Sequence, residues 1–306
     1  MADVSPPALP LALPDVDAPP MPAFAPRGIV QDGVPLPDFV IDSQRGYPDV
    51  RSFRRKFGLL LPATNTSMEY DLWEIIFRNS QATLHGVGLH TTPILTPRPT
   101  LQTHADLLAY REQIVTGTRT AAETARLAKP HAIILGMSME HILPGLAPIR
   151  ESLDGVRDQH GIPWATWHDA ISPALQHFQA RRIGLLTPFD AVGNTNAAKL
   201  FTDLGFEVVT TFGFACADAL HIAHVPDWAK ERAILERLAP RGHRLDAIVQ
   251  CGTNFSIVRV AERLEPQIGI PILGINPVTF WHALRLTGIT GPILGGTRLL
   301  REATGD

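Results

Sequence analysis

Short apolar runs separated by glycine, proline and small polar residues recur along most of the chain, and nearly every run is followed by a stretch with helical spacing. Residues 57–61 read as a first buried strand, ended by the polar turn 62–66. Residues 67–78 read as a helix with Met68, Leu72, Ile75 and Ile76 inward. A second strand is expected over 84–92, a loop over 93–99 and a long helix over 104–128. The next strand is 132–135, and a helix over 142–154 is interrupted near Pro144 and Pro148. Gly161 opens a short strand, and 170–179 is a helix. Unbroken apolar runs, rather than alternating ones, suit parallel strands covered on both faces.

The pattern then starts again. Strands are expected over 182–186, 207–212, 247–250 and 269–274, with helices over 194–204, 226–238 and 277–286 and a loop over 221–225. Gly58, Leu59 and Leu60 match Gly184, Leu185 and Leu186, and residues 132–136 match 247–251. Gly161, Ile162 and Pro163 match Gly269, Ile270 and Pro271. Three matches in the same order are an internal repeat. They imply two flavodoxin-like α/β lobes with parallel sheets, related by a pseudo-two-fold axis. The strand ends at Gly136 and Cys251 then face each other across a cleft. The lobes expected are residues 51–165 with 276–306, and residues 166–275.

Residues 1–50 differ from the rest. They are rich in proline and alanine up to Pro26 and lack a strand or helix period, which reads as a largely disordered or extended arm. Such an arm suits docking in an assembly, including a homo-oligomer. The basic patch Arg51, Arg54, Arg55 and Lys56 reads as a solvated face.

Composition narrows the picture. With 45% apolar and 19% charged residues, the 306-residue chain can bury a large core. A net charge of -3 gives no reason to expect nucleic acid, and no apolar run is long enough for a membrane span. Two cysteines cannot build a disulfide framework or a structural zinc site, so a cytoplasmic protein is expected. His221 and His224 are spaced to touch a metal, but no third ligand is evident. Cys216 reads as a packing residue.

The chemistry centres on Cys251. A short apolar strand ends in this thiol, and Gly252 and Thr253 follow. Open α/β sheets bind ligands at that edge, and a thiol at a helix N-terminus is favoured as thiolate. The rival reading is a buried cysteine serving as a small hydrophobe.

At these residues the chain resembles the aspartate/glutamate racemase superfamily, in the branch of maleate cis-trans isomerases and arylmalonate decarboxylase. The resemblance rests on residues 61–66, on Gly136, Met137 and Ser138, on Thr187, Pro188, Phe189 and Asn194, on Cys251 and Gly252, and on the ending 296–300. It implies an enzyme without metal or organic cofactor, acting on a small carboxylate or dicarboxylate through an enediolate-like intermediate. The first-lobe position that usually carries a second cysteine is Gly136, as in arylmalonate decarboxylase. Phe189 stands where relatives carry tyrosine.

The resemblance therefore implies a one-thiol site. Cys251 is the expected catalytic residue, with Asn65, Gly136, Met137, Ser138, Thr187, Phe189, Asn194, Gly252 and Thr253 around the substrate. Backbone N–H groups of Met137, Ser138, Gly252 and Thr253 are expected to point into the cleft from two helix N-termini. The hydroxyls of Ser138, Thr187 and Thr253 and the Asn65 amide would add donors, and Met137 and Phe189 an apolar wall. Asn65, Ser138 and Asn194 could instead cap helices. Glu140 and His141 could replace the missing thiol, though they are expected in the following helix. Stereospecific decarboxylation is preferred, with cis-trans isomerisation or racemisation as alternatives and a non-catalytic carboxylate-binding protein as the rival class.

Overall fold

The computed structural model describes residues 29–31, 34–36, 49–95, 104–157 and 161–304. Strands β1 (Ile29–Gln31) and β2 (Val34–Leu36) pair antiparallel as a hairpin. The rest of the expected N-terminal arm, residues 1–28, 32–33 and 37–48, lies outside the described residues. So does most of the loop expected over 93–99.

Two four-stranded parallel sheets carry the fold. The first contains β3 (Arg55–Pro62), β4 (Val87–Ile94), β5 (Ala132–Leu135) and β6 (Trp164–Thr166), in the order β4-β3-β5-β6. The second contains β7 (Arg182–Thr187), β8 (Glu207–Gly213), β9 (Ala247–Gln250) and β10 (Ile272–Gly274), in the order β8-β7-β9-β10. In both, the first strand in sequence sits between the second and third, and the fourth follows the third. This is the flavodoxin-like order twice over, and it is the repeat expected from the sequence. Its physical consequence is a switch point in each sheet, between β3 and β5 and between β7 and β9. In open α/β sheets, ligands bind beyond the C-terminal strand ends at such points.

The helices are α1 (Met68–Arg78), α2 (His104–Arg126), α3 (Leu146–Arg157), α4 (Trp167–His177), α5 (Ala191–Asp203), α6 (Ala219–Ile222), α7 (Asp227–Ala233), α8 (Val258–Ile268), α9 (Ile275–Leu286) and α10 (Arg298–Glu302). After α7 the chain continues as a π-turn over Ile234–Leu238. No helix among the described residues is long and apolar enough to cross a membrane.

α9 follows β10 but packs on β5 and β6 of the first sheet, and on α1, α4 and α10. It thereby stitches the chain's end to its first half. One apolar cluster runs through both halves, from Phe57, Leu59 and Met68 through Trp167 and Phe280 to Ile183, Val249 and Cys251. Trp167 and Phe280 are among its largest fully buried side chains.

One helix starts later than the periodicity predicts. Residues 136–145 form no helix, because Pro144 and Gly145 (φ +84°) intervene and α3 begins only at Leu146. Pro148 is tolerated there because the first helical turn needs no N–H partners. Gly252 (φ +90°) turns the chain after β9, and α8 starts at Val258, six residues beyond it. Neither Ser138 nor Cys251 therefore sits at a helix N-terminus, so the expected field favouring thiolate is missing.

Candidate active site

The centre of the site is where β5 and β9 end. Gly136 N–H donates to Leu60 O at 2.8 Å, and Cys251 N–H donates to Leu186 O at 3.0 Å. Each sheet thus runs one bond further before its chain leaves. Beyond β9, the buried Gln250 amide donates to Cys251 O (2.5 Å) and Gly252 O (2.9 Å). Since a trans peptide holds C=O and N–H on opposite sides, the N–H groups of Gly252 and Thr253 both point away from Gln250. Neither finds a hydrogen-bond acceptor among the described residues, and neither do those of Met137 and Ser138. Gln250 was not among the residues expected from sequence; a glutamine in an otherwise apolar strand was the available signal.

Only glycine fits at residue 252. Its φ is +90°, and a Cβ there would stand 2.7 Å from Pro188 Cγ. Residue 136 is tight for another reason. A Cβ on Gly136 would meet Leu61 Cδ2 at 2.2 Å and Met68 Sδ at 2.6 Å. That vector enters the packed first lobe rather than open space.

Cys251 is fully buried, and so is the Glu140 carboxylate whose charge acts on its thiol. Burial first, and then the negative charge of Glu140, push this thiol well above its ordinary value. Glu140 is itself fully buried in the turn ahead of α3, not in a helix as expected. Ser138 Oγ donates to its Oε1 at 2.5 Å. His168, buried in the first turn of α4, brings Nε2 to 3.6 Å from its Oε2. Burial raises the Glu140 carboxyl, but His168 and Ser138 more than offset that and hold it below its ordinary range. A charged carboxylate and a neutral thiol therefore share one enclosed corner. Sequence reasoning missed His168 altogether.

The neighbouring His141 is kept neutral chiefly by burial. Its ring stacks on Phe189 with centroids 4.9 Å apart. Phe189 also belongs to the core cluster that contains Cys251.

Several expected donors are engaged elsewhere. Thr187 Oγ donates to Asn194 Oδ1 at 2.5 Å and accepts from Phe189 N at 3.0 Å, so its hydrogen is not offered to the crevice. Asn194 lies inside α5, whose N-cap is Asp190, accepting from Gly193 N at 2.8 Å. Asn65 Oδ1 accepts from Ser67 N and Met68 N, closing the start of α1. Its Nδ2 donates to Thr253 Oγ1 at 2.9 Å. The Met137 side chain is buried and belongs to the core cluster of Leu60, Ile94, Ile114 and Leu200. Thr253 keeps its hydroxyl hydrogen available, since it accepts from Asn65.

Asn254 fastens this corner. It accepts from Thr66 N at 2.9 Å and donates to Thr64 O (3.1 Å) and Ala219 O (2.9 Å). Asp71 accepts from Ser256 Oγ at 2.6 Å and Asn276 Nδ2 at 2.8 Å, and Asn276 also donates to Thr253 O at 3.0 Å. Burial pushes the Asp71 carboxyl up to about 6. Among the described residues no cluster of three or more His, Cys, Asp or Glu could hold a metal ion. His221 and His224 pack edge to face at 5.6 Å, and Cys216 is half-buried and free.

Comparison with known proteins agrees with the fold. The sequence model of a family described as arylmalonate decarboxylase matches residues 110–300. No curated protein matches at the level of sequence. Among solved structures, the maleate cis-trans isomerase of Nocardia farcinica is similar at 20% identity and a TM-score of 0.68, covering 81% of this chain and 98% of that one. The maleate isomerase of Pseudomonas putida S16 is similar at 17% identity and a TM-score of 0.69, covering 82% and 98%. Arylmalonate decarboxylase itself gives 15% identity and a TM-score of 0.62, covering 80% and 98%.

Proposed function

The chain belongs to the arylmalonate decarboxylase family, and from that premise we propose that it is a cofactor-independent decarboxylase of a small malonate-like acid, with Cys251 as the proton donor. The observation that carries this reading is the enclosed thiol, held protonated by burial and by Glu140. A decarboxylase needs an acid at that point, not a nucleophile.

The substrate carbon carries two carboxylates. One C–C bond breaks, CO2 leaves, and the electron pair moves onto the remaining carboxylate as an enediolate. The N–H groups of Met137, Ser138, Gly252 and Thr253 and the Thr253 hydroxyl are the donors in reach of that charge, each worth about 3 kcal/mol by analogy with acyl transfer. The Cys251 S–H proton then moves to the carbon, giving a monocarboxylate and a thiolate. Asn65, Thr187, Phe189 and Asn194 shape the turns that present these groups. Residues 51–165 with 276–306 form one lobe in this reading and 166–275 the other, each supplying one turn. The packing of α9 on β5 and β6 supports that division.

The alternatives fit less well. The Nocardia farcinica isomerase has been captured with a covalently bound succinylcysteine, which a thiol reaches as thiolate. Glu140 opposes that state here. Racemisation needs an acid on the opposite substrate face, and the Gly136 position faces Leu61 and Met68 instead.

The test is to incubate the protein with aryl- and alkylmalonates and follow CO2 release and product configuration. One enantiomer is expected in excess, and Cys251→Ala should lose turnover. Wild-type rates in that variant would sink the proposal.

A further inference from the structure

Cys251 is fully buried, so a molecule can meet its sulfur only when the turns around it part. Two joints between the β3–β6 half and the β7–β10 half flank this strand end, and they differ in chemistry.

The first joint is apolar. Met137, Met139 and Leu143, beyond β5, share a buried cluster with Leu200 of α5. It also carries two hydrogen bonds, from Asn196 Nδ2 to His141 O at 3.1 Å and from Leu146 N to Asp203 Oδ2 at 3.0 Å. Parting it would wet buried leucine and methionine side chains, which is the costly way to open a protein.

The second joint is polar. It lies where the turn 62–67 after β3 meets the turn 252–256 after β9. Asn254, only 6% exposed, holds it together. Its Oδ1 accepts from Thr66 N at 2.9 Å, and its Nδ2 donates to Thr64 O (3.1 Å) and Ala219 O (2.9 Å). Ser67 Oγ donates to the Asn254 backbone oxygen at 3.0 Å, and Ser256 Oγ donates to Asp71 Oδ1 at 2.6 Å. The partners of the Asn254 amide are therefore backbone groups of two segments that run along the surface. Ala63 and Thr66 are exposed on one side, and residues 217–221 on the other. Further out, α1 and α8 are bridged by the ion pairs Arg78–Glu262 (2.7 Å) and Arg259–Glu74 (3.0 Å). Surface pairs of this kind add little stability. Each hydrogen bond of the joint can be exchanged for one with water at small net cost.

We propose that the protein opens at the polar joint, with Asn254 as its latch and the apolar joint as the hinge. A ligand bound for Cys251 then enters between Thr64–Thr66 and Ala219. One amide closes both sides of that entrance, so a single side chain sets how often it opens. The latch is independent of the decarboxylase reading. Access to the sulfur is read without substrate, so either can fail alone.

The experiment uses the full chain carrying Cys216→Ser, which leaves Cys251 as its one thiol. Alkylation by a small and by a bulky uncharged maleimide is followed without substrate. The readout is the ratio of the bulky to the small rate, because a change in thiol ionisation scales both rates alike. Asn254→Ala should raise that ratio by at least about tenfold, the factor that one to two net hydrogen bonds supply. Asn196→Ala, at the apolar joint, should leave it unchanged. Below the unfolding transition the rates should barely depend on urea, as a local opening requires. A ratio unmoved in Asn254→Ala, or rising equally in Asn196→Ala, overturns the latch. A steep urea dependence, the mark of global unfolding, also overturns it. If circular dichroism shows that Asn254→Ala does not fold, Asn254→Asp takes its place. Aspartate still accepts from Thr66 N but loses both donated bonds, and an unmoved ratio there overturns the latch in the same way.

Discussion

Asn65 Nδ2 donates to Thr253 Oγ1 at 2.9 Å, joining the turn after β3 to the turn after Cys251. The two residues come from opposite ends of the chain, and each closes one strand exit. Asn65→Ala removes this bond and the acceptor that closes α1, and should lower stability by about 2 kcal/mol. Thr253→Val removes only the bond and should lower it by about 1 kcal/mol. In a double-mutant cycle read by urea unfolding, the coupling should be about 1 kcal/mol. Strict additivity would mean that this pair does not hold the turns together.

The pH profile separates an acid from a nucleophile. Cys251 must be protonated to act as a donor, and its thiol titrates well above 9.0. Turnover should therefore hold across neutral and mildly alkaline pH and fall only as the thiol ionises. A thiolate mechanism would show the opposite slope, with kcat rising over that range. Steady-state rates across pH on one malonate distinguish the two.

Asp71 ties stability to pH. Its carboxyl is raised from 3.8 to about 6, chiefly by burial, so the folded state binds its proton more tightly than the unfolded chain. Stability from this group is greatest below about 3.8 and is lost as pH rises toward 6. Asp71→Asn can still accept from Asn276 and meet Ser256. At pH 8 it should be more stable than wild type by up to about 3 kcal/mol, with the difference fading below pH 4. Denaturant midpoints at the two ends of that range check the sign.

Gly136→Cys tests what faces the thiol. The new Cβ would press on Leu61 Cδ2 and Met68 Sδ, an overpacking expected to cost about 1–3 kcal/mol. The added thiol should then sit in the first lobe's core, and product racemisation should not appear. Deuterium incorporation at the product's α-carbon in heavy water would reveal it if the thiol reached the substrate.

The strands were legible because they are short, unbroken apolar runs. Residues 132–135 and 247–250 coincide with β5 and β9, and the repeated segments occupy equivalent places in the two sheets. Irregular turns were not. Pro144 and Gly145 delay α3, which left Glu140 in a turn where helical spacing had put it in a helix. Its action on Cys251 joins residues far apart in sequence, and His168 comes from a third segment again. The capping alternative for Asn194 follows from an asparagine near a helix start, but Asp190, four residues earlier, takes that role. Met137 follows Gly136 at a strand exit, which suggests a cleft wall, yet its side chain belongs to a core cluster.

The enclosure of Cys251 bears on survival in air as well as on chemistry. Peroxides attack thiolates that they can reach, and this sulfur is both covered and protonated at rest. The half-buried Cys216 is the sulfur an oxidant meets first. If Cys251 is the proton donor proposed above, a substrate and an oxidant need the same access to it, and oxidative inactivation should be fastest during turnover and slowest in the idle protein.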